Sequence, residues 1–332
     1  MDSKWRTIIK PEKSKYDIDY STPMFFIGSC FSDNISQILQ TNKFQVLSNP
    51  FGVLYNPYSI QTALRLILGE IEIDDNDLVY HNGLWHSLLH HSVFSNPDKD
   101  KLLLNIKRTI EDCRLFLKRA EYLFITVGTS WVYRYKKSGR IVANCHKIPN
   151  REFIRFRLNT CDFTDEFEML IKSIVEFNPQ IKIVFTVSPV RHWKDGAVEN
   201  HLSKSILTVS IHQLIEFSEH DISYFPSYEL ITDDLRDYRF YNEDMLHPSS
   251  QAVNYVFDFF KETYFTAETK KTLKKVENLV KAAQHRPFNP SDIEYSKFCE
   301  ARLKDIQQLN KLFPLMDWEA EKTIFTKQKR AD

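Results

Sequence analysis

Glycine is scarce in this chain, with 7 among 332 residues. Neither a G-x-G-x-x-G turn nor a Walker phosphate loop occurs, so the usual sequence signs of a nucleotide cofactor are missing, and no cofactor is expected. Long apolar runs are also missing. Nothing approaches the roughly 18 residues of a membrane span, and "MDSKWRTIIKPEKSK" lacks the apolar centre of a signal peptide. The expectation is a cytoplasmic protein with no membrane partner. An excess of one charge is absent too, since 44 Lys and Arg balance 44 Asp and Glu. That balance, with no basic stripe, removes the long-range attraction that would mark a nucleic-acid partner. The five cysteines (Cys30, Cys113, Cys145, Cys161 and Cys299) are odd in number and widely spaced, without C-x-x-C. They exclude a disulfide framework and a structural zinc site. Internal repeats and low-complexity segments are not found.

What is present is an alternation of strands and helices. "MFFIG" (24–28), "YLFITVG" (122–128) and "KIVFTVSP" (182–189) are continuously apolar, with weaker strands at "KFQVLSNPFG" and "ISYFPSYEL". Between them, 31–40, the segment "NPYSIQTALRLILGE", 102–119, 164–177, 199–219 and 247–264 show helical spacing of apolar residues. Asn56 or Ser59 is a candidate cap for the second of these. Apolar strands alternating with helices predict a mainly parallel sheet covered on both faces. Residues 1–265 are read as this α/β domain. Residues 266–332 are read as a charged helical extension, with Ser291 and Glu294 as a capping box after "HRPFNP"; its charge patterning suits a solvated pair of helices packed on the main domain, with homo-oligomer formation through these helices as the alternative.

In such sheets the chemistry sits where strands end. The first strand delivers Gly28-Ser29-Cys30, the second Asn49-Pro50-Phe51-Gly52, the third Gly128-Thr129-Ser130-Trp131, and the fourth Ser188 to His192. A late loop carries Asp244-Met245-Leu246-His247. A nucleophile needs a base, and the base needs an orienter. Cys30 or Ser29 is the candidate nucleophile, with His247 as base and Asp244 as its orienter. Cys30 would begin a helix, whose N–H groups and dipole favour a thiolate. On the other reading, Cys30 is a buried plug and Ser29 the helix cap.

The motifs "FFIGSCFSDNI" and "NPFGVLYNPYS" resemble the GSCFA family, which is grouped with the SGNH (GDSL-like) hydrolases. The resemblance covers roughly residues 20 to 260. It implies a flavodoxin-like three-layer α/β/α sandwich, and an esterase or acyltransferase that commonly handles acetyl groups on carbohydrates. It also implies site roles. Without gaps, the Gly-Asp-Ser block falls on Gly28, Ser29 and Cys30, which puts sulfur in the attacking position. Gly52 matches the glycine whose N–H serves the oxyanion hole. Ser130 replaces the Asn of the third block and is a weaker oxyanion donor. Asp244 and His247 match the Asp-x-x-His block fully.

"YHNGLWHSLLHHS" adds His86 and His90, four apart, with Trp85 placed to stack on a sugar. The segment reads as a loop or short helix on the core. The H-E-x-x-H glutamate is missing, and no metal is expected. Asn49, Trp85, His86, His90, Trp131 and Arg191 are the expected substrate-lining residues, with Arg191 or His192 offered to an anionic group. The expected activity is ester hydrolysis, as deacetylation of a small-molecule or glycan ester. Acyl transfer to a polysaccharide precursor and a binding protein with weakened catalysis are the rivals.

Overall fold

The computed structural model describes residues 6–285 and 293–329. The chain divides into two units. The first comprises residues 6–9, 24–36 and 47–256 and carries the central sheet. Its parallel strands are β1 (Met24–Gly28), β2 (Val46–Ser48), β5 (Tyr122–Val127), β9 (Lys182–Val187) and β10 (Ile222–Tyr224), in the order β10-β9-β5-β1-β2. Numbered within the sheet alone, this order is 2-1-3-4-5, the flavodoxin-like winding whose direction reverses between β1 and β5.

Local sequence explains these elements. β1 and β5 are buried at every residue, as a strand covered on both faces must be. Helix α1 (Cys30–Thr41) puts Phe31, Ile35 and Leu39 on its buried side. Helix α2 (Pro57–Leu68) starts with the Asn56 side chain accepting from the Ser59 N–H at 2.8 Å, with Pro57 in the first turn, and stops at left-handed Gly69. These are the helix's orphan N–H and C=O groups being satisfied. Helices α4 (Thr160–Phe177) and α5 (Gly196–Phe217) pack with α2 and the sheet in one apolar core that includes Phe25, Leu64, Ile125, Phe167, Phe185 and Leu207.

Three parts depart from the expectation. Residues 78–87 form a hairpin of β3 (Leu78–His81) and β4 (Leu84–Ser87), turning at Asn82-Gly83, both in positive φ. Asn-Gly is the turn signal that favours a hairpin, and it outweighs the helical reading of His86 and His90. After α3 (Lys99–Arg119), the strands β6 (Trp131–Tyr135), β7 (Ile141–Val142) and β8 (Phe153–Arg157) make a small antiparallel sheet. "ISYFPSYEL" is strand only to Tyr224. From Ser227 it is helical, as α6 (Ser227–Glu229) and a π-helical stretch Leu230–Leu235.

The second unit comprises residues 10–23, 37–46, 257–285 and 293–329. Helix α7 (Ser250–Tyr264) leads to α8 (Ala267–Gln284), α9 (Ile293–Leu312) and α10 (Glu319–Lys329). The helical character expected of this region is present. Tyr20 stacks on Phe44 at 4.1 Å and Phe44 on Phe265 at 5.0 Å, and Lys43 bridges to Glu321 at 2.8 Å. Ser291 of the expected capping box and most of "HRPFNP" lie outside the described residues. Among the described residues no helix is long and apolar enough to cross a membrane.

Candidate active site

The reversal of winding leaves a crevice beyond the carboxyl ends of β1 and β5, and Gly28-Ser29-Cys30 opens onto it. Gly28 pairs opposite Thr126 with φ at +136°. A β-carbon there would stand 2.1 Å from the Thr126 carbonyl oxygen. Only glycine lets the chain leave β1 this close to β5 and enter α1 at once. Ser29 is buried. Its N–H donates to Thr126 O at 2.9 Å, and its hydroxyl accepts from the Phe31 N–H at 3.3 Å. Ser29 therefore caps α1. Cys30 is half-buried, so the thiol is the reachable one of the two candidate nucleophiles.

The electrostatics of Cys30 differ from the expectation of a helix-stabilised thiolate. Burial pushes the thiol up, and Asp33 one turn along adds to the effect. The N–H groups of Cys30 and Phe31 and the Lys204 ammonium pull it down without prevailing. The helix terminus acts in the expected direction, but desolvation of the anion outweighs it. The thiol is accordingly protonated at neutral pH and needs a base.

Asn49 braces this turn. It takes a left-handed backbone (φ 40°), which Asn tolerates. Its Oδ1 accepts from the Gly28 N–H at 2.7 Å, and its Nδ2 donates to Asp33 Oδ1 at 2.7 Å. Both ends of the amide are thus spent on the nucleophile turn, and Asn49 is a clamp rather than a surface offered to substrate. Gly52, expected to lend its N–H to an oxyanion, donates it to Asn49 O at 2.8 Å. Ser130 is fully buried. Its N–H and its hydroxyl both donate to Ser203 Oγ, at 2.8 and 3.0 Å. Both expected oxyanion donors are engaged inside the fold, Gly52 closing its own turn and Ser130 tied to α5 through Ser203. The N–H groups that do face the sulfur are those of Cys30 and Phe31.

Lys204, unremarked in the sequence, lies beneath the strand ends. It is 1% exposed, and its Nζ donates to Gly128 O and to Ser188 O, both at 2.6 Å. Those carbonyls follow β5 and β9, so one ammonium ties the ends of these two neighbouring strands. Burial lowers its pKa to about 7, while interaction with Cys30 acts the other way. Gly128 makes room for His192 as well. The position its β-carbon would take is 3.3 Å from His192 Nε2 and 3.6 Å from Ser29 Cβ. His192 meets Tyr55 edge-on at 5.5 Å. Burial first, then Lys204 and His247, lower its pKa to about 4 and keep it neutral.

His247 stands on a loop closed by its own backbone. Asn242 N–H donates to His247 O at 2.8 Å, Tyr241 bridges to Pro248, and Met245 has positive φ. Asp244 Oδ2 meets His247 Nδ1 at 2.6 Å, while Oδ1 accepts the N–H groups of Leu246 and His247 at 2.9 and 3.0 Å. These bonds hold the Asp244 carboxyl down to about 2. Nδ1 thus carries the proton, which leaves Nε2 as the basic nitrogen. The Arg191 N–H donates to Leu246 O at 3.4 Å, joining this loop to the end of β9. Among the described residues no hydrogen bond joins His247 to Cys30. The imidazole that feels the charge of His247 is His192.

The remaining expected residues divide. Arg191 and Trp193 border a cavity of about 410 Å³ next to Asp244 and Leu246. Trp131 lines a different groove, beneath the Arg155 guanidinium at 4.1 Å. His86 and His90 are core groups. His86 bonds Ser95 Oγ and His81 O and stacks on His146 at 4.5 Å. His90 bonds Ser87 Oγ at 2.8 Å, and burial drives its pKa to about 3. Trp85 packs against Tyr80 and Lys99 on the hairpin.

A family model described as the GSCFA family matches residues 23–260, and one described as the GSCFA domain protein, C-terminal domain, matches residues 276–331. No curated protein matches the chain. Among solved structures it is similar to a family 3 carbohydrate esterase from Talaromyces cellulolyticus. Identity is 9%, coverage 77% of this chain and 99% of that one, and the TM-score 0.36. An acetyl xylan esterase from Butyrivibrio proteoclasticus is similar at 10% identity, over 73% of this chain and 64% of that one, with a TM-score of 0.38. A family 3 carbohydrate esterase from Clostridium thermocellum is similar at 10% identity, over 78% and 98%, with a TM-score of 0.32.

Proposed function

The chain belongs to the GSCFA family, and from the geometry of its crevice we propose that it hydrolyses an acyl ester through Cys30. The observation that carries this reading is the Asp244–His247 couple at 2.6 Å, at the same edge of the sheet as the half-buried thiol that begins α1. His247 Nε2 takes the Cys30 proton as the sulfur attacks the acyl carbon. The carbonyl oxygen gains negative charge at the N-terminus of α1, beside the Cys30 N–H. Collapse breaks the ester C–O bond, and the leaving alkoxide takes the proton from imidazolium. Water then adds to the thioester while His247 accepts its proton, and the C–S bond breaks to return the thiol. His192, neutral beside Gly128, supports this cycle by keeping a second positive charge out of the crevice.

A carbohydrate ester is the proposed substrate, on the resemblance of the "GSCF" and Asp-x-x-His blocks to SGNH enzymes. A second reading is transfer of the acyl group to another hydroxyl, because the reachable nucleophile is a thiol and a thioester can pass its acyl group to a bound alcohol as well as to water. Incubation with p-nitrophenyl acetate, followed by mass spectrometry, tests the proposal. An acetyl group on Cys30, lost in Cys30→Ala and strongly slowed in His247→Ala, is expected. Label on Ser29, or equal turnover by wild type, Cys30→Ala, Ser29→Ala and His247→Ala, would remove it.

A further inference from the structure

The cavity of about 410 Å³ beside the Asp244–His247 loop has charged walls in which the acids are engaged and the bases are not. Two arginines line it, Arg191 after β9 and Arg236 in a left-handed turn after the π-helical stretch. Among the described residues neither guanidinium has a carboxylate within ion-pair distance. The two acids in the wall are already occupied. Asp237 accepts from the Arg239 N–H at 3.0 Å and pairs with Arg239 Nε at 3.2 Å. Asp244 is saturated by His247 and two backbone N–H groups. The cavity therefore presents two guanidinium groups without a carboxylate partner, beside two carboxylates whose oxygens are already engaged. Its other notable lining is aromatic, with Trp193 47% and Tyr238 74% exposed. Exposed rings are what the faces of a sugar pack against, and planar guanidinium groups match carboxylate and phosphate oxygens in pairs. The backbone link from Arg191 to Leu246 sets this cavity against the base, where the alcohol part of an ester would lie.

We propose that this cavity is an anion-selective saccharide subsite, in which Arg191 and Arg236 receive a carboxylate or phosphate carried by a sugar while Trp193 and Tyr238 face its ring. The inference deepens the esterase reading and rests on it for the word substrate, but its test does not need turnover. Binding of methyl glucuronoside, glucose 6-phosphate, methyl glucoside and inorganic phosphate to the full chain would be measured by calorimetry at low and high salt. At low salt one or both charged sugars should bind about 10- to 100-fold more tightly than methyl glucoside, and salt should shrink the gap. A preference for the uronoside or for the sugar phosphate identifies the anion. Arg191→Met with Arg236→Met should bring charged and neutral sugars to parity. Tyr238→Ala should weaken the sugars without altering that preference, and thermal melts would confirm that each variant is folded. Equal binding of charged and neutral sugars by wild type, or a preference that survives in the double variant, overturns the proposal. Inorganic phosphate binding as tightly as the sugar phosphate overturns its saccharide part. A chain that discriminates among the sugars but cleaves no ester keeps the subsite and removes the esterase reading.

Discussion

Replacing Lys204 with Met tests the most unusual electrostatic feature of the crevice. The ammonium is buried on two strand-end carbonyls, and its pKa falls from 10.5 to about 7. At about 1.4 kcal/mol per pH unit, the fold disfavours the charged form by about 5 kcal/mol. The folded pKa lies below the unfolded one. Below about pH 7 both states hold the proton and the penalty is complete; above about pH 10.5 neither does and it is gone. Between those limits the unfolded chain binds more protons, so wild-type stability gains from rising pH through this group. Methionine removes the penalty but strands Gly128 O and Ser188 O, at about 1–3 kcal/mol each and independently of pH. The two effects roughly cancel at pH 7. By pH 10 the wild type has recovered about 3–4 kcal/mol that methionine cannot. Lys204→Met should therefore match wild type near pH 7 and fall behind by about 3–4 kcal/mol at pH 10. Urea unfolding at pH 7, 8, 9 and 10, with Cys30→Ser in both backgrounds to silence the coupled thiol, measures the difference. A stability difference that does not change with pH would refute the reasoning, because it would mean that Nζ titrates as though in water.

Gly28→Ala should cost more than about 3 kcal/mol or prevent folding, because its methyl group meets the β5 backbone in a region of φ that alanine avoids; soluble yield and melting temperature report it. Asn49→Ala should lose about 2–4 kcal/mol by orphaning the Gly28 N–H and freeing Asp33, and iodoacetamide labelling of Cys30 should change in rate. Acid should destabilise the fold in a window set by buried imidazoles. His90, His146 and His192 have pKa values of about 3, 4 and 4 against 6.5 unfolded. Stability then falls as pH drops from about 6.5 toward 4, where only the unfolded chain takes up the protons, and denaturant midpoints across pH 4–8 should show it. Asp244→Asn should lower kcat for p-nitrophenyl acetate about 10²- to 10⁴-fold, since it alters the tautomer of His247.

The sheet was legible because its strands announce themselves. A run such as "YLFITV" has no polar face to give water, so it can only be a strand buried on both sides, and the intervening helical periods force parallel crossovers. Less legible were the segments where local turn chemistry competes with periodicity. His86 and His90 are four apart, as on a helix face, yet Asn82-Gly83 closes a hairpin that takes in His86 and leaves His90 in the turn after β4. "SYEL" after Pro226 looks as apolar as the strand before it but turns into helix, since proline withholds the N–H that pairing with β9 would need.

The site was half legible, for a reason that its own residues make plain. Sequence spacing reveals partners that are close along the chain, so Asp244 with His247 and Ser29 with Cys30 could be paired by inspection. It is silent on side chains that reach a site from the middle of a helix. Lys204 sits in α5 among residues of ordinary helical character, and nothing near it marks a lysine that will be buried. His192 was visible only as the neighbour of Arg191, and what brings it to the crevice is the absent side chain of Gly128, 64 positions earlier. Burial also reversed one physical inference. A helix start does favour a thiolate, but Asp33 lies on the first turn of the same helix, and both groups are taken out of water. The sulfur is therefore held as a thiol until a base acts on it, and in the proposed hydrolysis that base is His247, oriented by Asp244.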